Sequence, residues 1–190
     1  LEMTNHCNLA CVMCPRAKQA RPEGMLSLGL LESILDQAEG RLEIVDFDMF
    51  GELLLHPRFD ELIRAASRRG VRTSVSTNAT LLTRENCERL IQSGLDFLVL
   101  SIDSADARTY EKIRVGADHR AMREGVELFL SMNAGKIFTV VQKIHMRDNR
   151  EEVWDYLREF RKSGADFVRL KPYYDLDPAI GPDSDAVFEA

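Results

Sequence analysis

The chain reads EIVDFDMFGELLLHPRFDELIRAASRRGVRTSVST over residues 43–77. The runs 43–50 and 71–77 have the residue pattern of strands. Residues 58–69 between them carry apolar side chains at helical spacing. Gly70 follows this helix, where a left-handed capping residue is usual. Two successive strands joined by a helix run parallel, so this stretch predicts a parallel α/β fold.

The same alternation of strand and helix continues through most of the chain. Further strands are predicted at 1–4, 96–102, 137–145 and 166–171, and further helices at 27–39, 83–93, 119–133 and 149–163. Six strand–helix units fit a partial (β/α)6 TIM-like barrel with parallel strands and helices outside, because a closed barrel of eight units typically needs about 250 residues. A flat doubly wound sheet is the alternative, although the chain lacks a dinucleotide-binding glycine fingerprint.

Composition and charge limit the classes of protein to which the chain can belong. Its 190 residues, 45% of them hydrophobic and 29% charged, are typical of one globular domain, and no run is long and apolar enough to span a membrane. Five acidic residues and no Lys or Arg lie in 173–190, which leaves a net charge of only about −1 on 1–172. This balance predicts no nucleic-acid partner. We expect 1–172 to be a core domain with a truncated N-terminus, and 173–190 an acidic linker or C-terminal extension of a longer protein.

Three cysteines, Cys7, Cys11 and Cys14, stand within eight residues, and the fourth, Cys87, is remote. This crowding favours metal binding in a reducing, cytoplasmic setting over a disulfide framework. Three thiolates on one loop can hold three irons of a [4Fe–4S] cluster and leave the fourth iron open. Structural zinc is the alternative, but it would require a fourth ligand from His6 or from Cys87.

Polar residues gather at the predicted carboxyl ends of the strands, which meet at one rim of a parallel barrel and form its active site. In chain order these ends are NHCNLACVMCPR (5–16), FGELLLHP (50–57), STN (76–78), SIDS (101–104), the group Gln142, Lys143 and His145, and KPYY (171–174).

The loop CNLACVMC (7–14), followed by FGE (50–52), resembles the radical S-adenosylmethionine (SAM) superfamily. The segments STNATLL (76–82), LSIDS (100–104) and IRVG (113–116) are similar to its SPASM/Twitch-type branch, which modifies peptides and some natural-product small molecules. The resemblance implies a [4Fe–4S] cluster held by the three cysteines and SAM bound to the open iron. It also implies that reductive cleavage of SAM yields a 5′-deoxyadenosyl radical, which abstracts hydrogen from the substrate.

The resemblance assigns further residues to SAM. Gly51 and Glu52 match the family's glycine–glycine–glutamate motif, which receives the SAM ammonium, although Phe50 replaces its first glycine and Leu53 a frequent proline. Arg114 matches an arginine that could pair with the SAM carboxylate, the alternative being a solvated surface residue.

Two pairs of strand-end residues complete the expected cofactor site. Ser101 and Asp103 match positions that contact the ribose or carboxylate of SAM, and their alternation with Ile102 predicts that both point inward. Ser76 and Asn78 share a face in the same way, although Asn78 could equally shape the following turn.

The residues that would move protons are not identified by a motif. Lys143 and His145 share a face of the fifth predicted strand, so either could line the cavity and serve in proton transfer. Trp154 is predicted to pack between helix and sheet, and Cys87 to be a small core residue.

The resemblance therefore implies a radical SAM enzyme acting on a peptide or natural product, supplied with electrons by a flavodoxin or ferredoxin. The alternatives are a small-molecule dehydrogenase or epimerase of the aminosugar type, and a non-catalytic Fe–S or zinc binding module.

Overall fold

The computed structural model describes residues 1–173, without the side chain of Ala17. In this part of the chain, five strands form one sheet in sequence order, and every neighbouring pair is parallel. The predicted parallel α/β class is therefore confirmed. The strands are β1 (Ile44–Phe47), β2 (Arg72–Thr77), β3 (Phe97–Ser101), β4 (Phe138–His145) and β5 (Phe167–Pro172).

Helices connect the strands, and their ends follow local side-chain chemistry. Ser27, Thr83, Asp106 and Asp118 each accept a hydrogen bond from a backbone N–H of the helix that they precede. The helices are α1 (Leu28–Gln37), α2 (Phe59–Ser67), α3 (Arg84–Gln92), α4 (Ala107–Ile113), α5 (His119–Asn133) and α6 (Val153–Phe160), with 3₁₀ turns at Pro15–Lys18, Leu53–Leu55 and Arg147–Glu152. No helix within residues 1–173 has the length and apolar character that crossing a membrane requires.

The strand predicted at 1–4 is wrong. Thr4 makes a single antiparallel bridge to Met25, and the Leu1 ammonium donates to the Asp46 carbonyl (2.7 Å). The segment thus lies beside the β1 edge without extending the sheet. Helix α4 was not predicted, because its seven residues follow β3 closely and bury only Tyr110 and Ile113.

The predicted packing of Trp154 is also wrong, since its side chain is 75% exposed. Residues 147–152 form a 3₁₀ turn, so α6 begins only at Val153. A 3₁₀ turn has 3.0 residues per turn instead of 3.6. The side chains of α6 therefore point in other directions than they would if an α-helix began at Asn149. Tyr156 and Phe160 therefore reach the core in place of Trp154.

The hydrophobic core lies between the outer face of the sheet and the helices. Val75, Leu98 and Val141 occupy neighbouring strands there and are fully buried, as is Cys87 of α3, in agreement with its prediction as a core residue. The opposite face of the sheet is concave and lines a cavity. Asp48, just beyond β1, and Lys171 of β5 line this same cavity although their strands are the two edges of the sheet, so the sheet curls into an open barrel.

Candidate active site

A cavity of about 300 Å³ lies at the carboxyl ends of the strands. The N-terminal loop, the segments after β1, β2 and β3, and strands β4 and β5 all contribute to its wall. Most of the predicted cofactor and metal residues lie here: Cys7, Cys11, Cys14, Gly51, Glu52, Ser76, Asn78, Ser101 and Arg114.

Backbone hydrogen bonds hold the cysteine loop against the end of α4 and the residues just after it. The Ala10 amide donates to the Val115 carbonyl (2.9 Å), and the Val12 amide donates to the Ile113 carbonyl (3.0 Å). The thiols of Cys7, Cys11 and Cys14 are free and partly buried, and all three residues line the cavity. Burial raises the pKa of Cys7, and it raises that of Cys11 to about 11. A positively charged metal group would offset this preference for the neutral thiol.

The donor set fits an iron–sulfur cluster. Within residues 1–173, no three Cys, His, Asp or Glu side chains gather closely enough to hold one metal ion. A [4Fe–4S] cluster makes a different demand, because each thiolate binds its own iron and the sulfur atoms stay apart. Three free thiols spaced along one loop and facing one cavity meet that demand.

Glu52 is 1% exposed and joins the segment after β1 to the end of β2. Its carboxylate accepts hydrogen bonds from the Thr77 hydroxyl (2.7 Å), the Asn78 amide (2.7 Å) and the Leu54 amide (3.1 Å). Burial raises the pKa of Glu52, and these neutral donors only partly oppose that effect. The carboxylate borders the cavity and holds no cation of its own within the described residues.

Gly51 has a packing role at the same corner. A Cβ atom here would lie 1.8 Å from the Thr4 carbonyl oxygen, which leaves no room for any side chain. The close approach brings the Glu52 amide to the His6 carbonyl (2.8 Å). Glycine thus ties the strand-end segment to the start of the cysteine loop.

Asp103 lies behind the cavity wall, where it supports Arg114. One carboxylate oxygen accepts from both Nε and Nη2 of Arg114 (2.7 Å each), and the other accepts from the Ile144 amide (2.8 Å). Burial alone would lower the pKa of Arg114, but its neighbours, Asp103 first among them, together more than offset that effect and the net shift is upward. The prediction that Asp103 points inward with Ser101 relied on strand alternation. Because β3 ends at Ser101, that alternation does not extend to Asp103.

Arg114 itself is 6% exposed and lines the cavity, so it is not a solvated surface residue. Its guanidinium is held in place by Asp103, and as a planar group with several N–H donors it suits a carboxylate.

The serine pair and Asn78 line the cavity between these charged groups. The hydroxyls of Ser76 and Ser101 lie 3.0 Å apart. Asn78 lines the cavity and also shapes the turn that follows it. Its carbonyl oxygen accepts from the amide (3.0 Å) and hydroxyl (2.6 Å) of Thr80 and shapes the turn, and its Nδ2 donates to Asn8 (2.9 Å) and lies 3.9 Å from the Cys7 sulfur.

The prediction that Lys143 or His145 lines the cavity is wrong. Lys143 is fully buried on the helix side of β4, where its ammonium donates to the Asn149 carbonyl (2.7 Å) and lies 5.2 Å from the centre of the Tyr156 ring. Burial lowers the pKa of both Lys143 and His145. The β4 residues in the cavity wall are Gln142 and Ile144, because neighbouring positions of a strand face opposite sides.

Sequence reasoning placed Gln142 and Lys171 among the polar strand-end groups but gave neither of them a role, and it missed Asp48. Asp48 and Lys171 belong to opposite sheet edges and meet only through curvature of the sheet. Burial raises the pKa of Asp48, as does nearby Asp46, whereas Lys171 lowers it.

Comparison with known proteins identifies a family for this arrangement. A family model described as the Radical SAM superfamily matches residues 1–160. A tungsten-containing aldehyde ferredoxin oxidoreductase cofactor-modifying protein of Pyrococcus furiosus is 29% identical over 184 residues, which are 94% of this chain and 52% of that protein. An AdoMet-dependent heme synthase of Methanosarcina barkeri is 31% identical over 193 residues, which cover 100% of this chain and 53% of that protein. The chain therefore spans about half the length of these curated relatives.

Solved structures share the fold. Streptococcus suis SuiB bound to S-adenosylmethionine superposes with a TM-score of 0.77 at 19% identity, covering 92% of this chain and 40% of SuiB. SuiB bound to its precursor peptide SuiA also gives a TM-score of 0.77 at 19% identity, covering 91% of this chain and 38% of SuiB.

Proposed function

The chain belongs to the radical SAM superfamily, and from that premise we propose that it is the core of an enzyme that cleaves SAM reductively to abstract hydrogen from a peptide or natural-product substrate. In this proposal Cys7, Cys11 and Cys14 hold a [4Fe–4S] cluster. SAM occupies the adjoining cavity.

One observation carries the proposal: three free thiols share a cavity with two buried groups of opposite charge. Glu52 offers a carboxylate that neutral donors orient. Arg114 offers a guanidinium that Asp103 orients. The amino-acid part of SAM carries an ammonium and a carboxylate, so Glu52 would bind the first and Arg114 the second.

The residues of the chain bind and orient, since the chemistry belongs to the cofactors. When bound, the reduced cluster and SAM would supply an electron and the 5′-deoxyadenosyl radical that takes a hydrogen atom from the substrate. A flavodoxin or ferredoxin in the cytoplasm would deliver that electron. Buried apolar residues of the barrel, such as Val99 and Val140 on the concave face, would keep water from the reacting C–H bond.

The experiment is anaerobic reconstitution of the full-length protein with iron and sulfide, followed by SAM and dithionite. We expect 5′-deoxyadenosine and methionine as products, and loss of both when Cys7, Cys11 and Cys14 are replaced by Ala. Cys87→Ala is the matched control, because Cys87 lies in the core and should leave the cluster's iron content unchanged. Product release by the triple variant, or a wild-type protein that binds no iron during reconstitution, would contradict the proposal.

The substrate class has two candidates. SuiB, with the same fold, has been solved with a precursor peptide, which supports a peptide substrate. The relatives from P. furiosus and M. barkeri are named for cofactor modification and heme synthesis, which supports a small molecule; an aminosugar-type dehydrogenase or epimerase falls within this second class. A short precursor-peptide gene beside the coding sequence would decide for the peptide. If the protein binds metal but no SAM, a non-catalytic Fe–S or zinc module is the better description.

A further inference from the structure

The sulfur of Cys7 accepts hydrogen bonds from two N–H groups of the chain. The Leu9 amide donates to it at 3.5 Å, and the side-chain nitrogen Nδ2 of Asn78 donates to it at 3.9 Å. Within residues 1–173, no hydrogen bond of this kind reaches the sulfur of Cys11 or Cys14. Cys7 therefore differs from the other two thiols of the loop, because a polar side chain from another part of the fold contacts its sulfur.

The orientation of the Asn78 carboxamide follows from its partners. Its oxygen Oδ1 accepts from the main-chain amide of Thr80 (3.0 Å), and a main-chain N–H can only donate. The other end of the carboxamide is therefore the NH₂ group, which has two hydrogens. One hydrogen is donated to the side-chain oxygen of Asn8 (2.9 Å), and the second is left for the sulfur of Cys7.

A closed ring of three hydrogen bonds holds Asn78 in this position. Nδ2 of Asn78 donates to Oδ1 of Asn8 (2.9 Å), and Nδ2 of Asn8 donates to the Thr80 hydroxyl (2.9 Å). The Thr80 hydroxyl donates back to Oδ1 of Asn78 (2.6 Å). Asn8 follows Cys7 in the chain and Asn78 follows β2, so the ring fixes the cysteine loop to the end of that strand. Asn78 is also 6% exposed, so water competes little for its N–H groups.

An N–H donor on a sulfur that binds an iron–sulfur cluster affects the reduction potential of the cluster. Reduction adds negative charge to the cluster and its sulfurs, and a hydrogen bond stabilises a more negative acceptor more strongly. We infer that the side-chain amide of Asn78 donates to the Cys7 thiolate and thereby raises the reduction potential of the cluster. Asn78 is then a positioning residue that acts through Cys7 and makes the cluster easier to reduce. This inference rests on the proposed function.

The test is a redox titration of the full-length protein with its cluster and without SAM, followed by the EPR signal of the reduced cluster. Asn78→Leu replaces the carboxamide with an apolar group of similar size. At a fixed solution potential, the ratio of reduced to oxidised cluster should fall about 3- to 10-fold, which corresponds to a potential about 30 to 60 mV lower for a one-electron couple. Asn78→Asp keeps an acceptor for Thr80 but has no N–H, and its added negative charge should lower the ratio at least as far.

Thr80→Val is the matched control. It removes the hydroxyl from the ring and leaves both the main-chain amide at position 80 and the Asn78 donor in place. The ratio of reduced to oxidised cluster should therefore stay within about twofold of that of the wild type.

SAM affinity separates this role from a contact with SAM. The main-chain amide of Asn78 holds Glu52, and Asn78→Leu retains that amide. SAM should therefore bind the oxidised cluster form of this variant within about threefold of the wild-type affinity, measured by equilibrium dialysis.

An isotope label tests the contact without replacing Asn78. When the side-chain amides of asparagine carry ¹⁵N, the reduced cluster of the wild type should show a ¹⁵N coupling in its ENDOR spectrum. Asn8→Ala removes the other labelled amide of the ring and should retain the coupling.

The outcomes are distinct. Wild-type potentials in Asn78→Leu and Asn78→Asp overturn the inference while the proposed function stands, and so does the absence of the ¹⁵N coupling. A loss of SAM affinity at an unchanged potential also overturns it, because Asn78 would then act on SAM. If neither variant retains a cluster, the label decides. If the wild type assembles no cluster, the proposed function itself fails.

Discussion

Two buried carboxylates, Glu52 and Asp103, stand at the ends of different strands, and the structure uses them in different ways. Glu52 borders the cavity and is held by a hydroxyl and two backbone amides, all neutral. Asp103 lies behind the wall and forms an ion pair with Arg114. Both were predicted from the sequence to contact SAM.

The difference shows how one site obtains both signs of charge. Neutral donors orient Glu52 without cancelling its charge, so the carboxylate can attract a cation. Asp103 is paired with Arg114 and orients its guanidinium, and it is Arg114 that lines the cavity and can donate hydrogen bonds to an anion. Glu52 is thus proposed as a binding residue and Asp103 as a positioning residue. Three substitutions test this distinction.

The largest effect is expected from Asp103→Ala, because removing one partner leaves the Arg114 charge buried and unpaired and the Ile144 amide without an acceptor. The free energy of unfolding should fall by about 3–5 kcal/mol, measured by denaturant unfolding. Asp106→Ala is the control. Asp106 is an exposed cap of α4, and its loss should cost much less stability than the loss of Asp103. Equal losses in the two variants would refute the assignment of Asp103.

Glu52→Gln should act chiefly on the ligand. SAM affinity should fall at least about tenfold, because a charge-assisted hydrogen bond to the ammonium is lost, whereas the unfolding free energy should fall by only about 1–2 kcal/mol. If the variant bound SAM as tightly as the wild type does, the proposal that Glu52 binds the ammonium would be wrong.

The same variant has a pH signature. The pKa of Glu52 is raised in the folded protein, mainly by burial, above the ordinary value of 4.5. The folded state therefore binds the proton more tightly, and the stability of the wild type relative to Glu52→Gln should decrease as pH rises from 4.5 through the folded pKa. Unfolding midpoints of both proteins across this range would measure the trend, and an increase with pH would contradict it.

The smallest effect is expected from Lys143→Met, since Lys143 lies on the helix side of β4. SAM affinity should stay within about twofold, and stability near neutral pH should change by less than about 1 kcal/mol, because an apolar side chain of similar length tolerates this burial. Burial lowers the pKa of Lys143 below 10.5, so the wild type should gain stability relative to the variant as pH rises toward that value. A large loss of SAM affinity would show that Lys143 contributes to the binding site and would contradict this prediction.

Local patterns predicted much of the fold. Gly40, Gly70, Gly94, Gly135 and Gly164 follow helices and all have positive φ, as their positions indicate. The helix predicted at 119–133 has those bounds in the structure. Errors in side-chain orientation arose where a helical or strand period was extended beyond its element. The helical period was extended across the 3₁₀ segment to Trp154, and the strand period past the end of β3 to Asp103.

Strand β4 shows a further limit of prediction from the sequence. Lys143 and Gln142 are both polar, and a period of two cannot say which of two adjacent polar residues faces the cavity. The predicted linker beyond Tyr173 lies outside the described residues.

The sequence by itself determined the parallel α/β class, the three-cysteine loop and most of the residues in the cavity wall, because strand and helix periodicity and cysteine spacing are local properties of the chain. Only the tertiary structure decided which charged residues face the cavity and which support them. That distinction depends on how five strands curve around a common space and on which donors surround each carboxylate, and these are relations between residues that are distant in the chain.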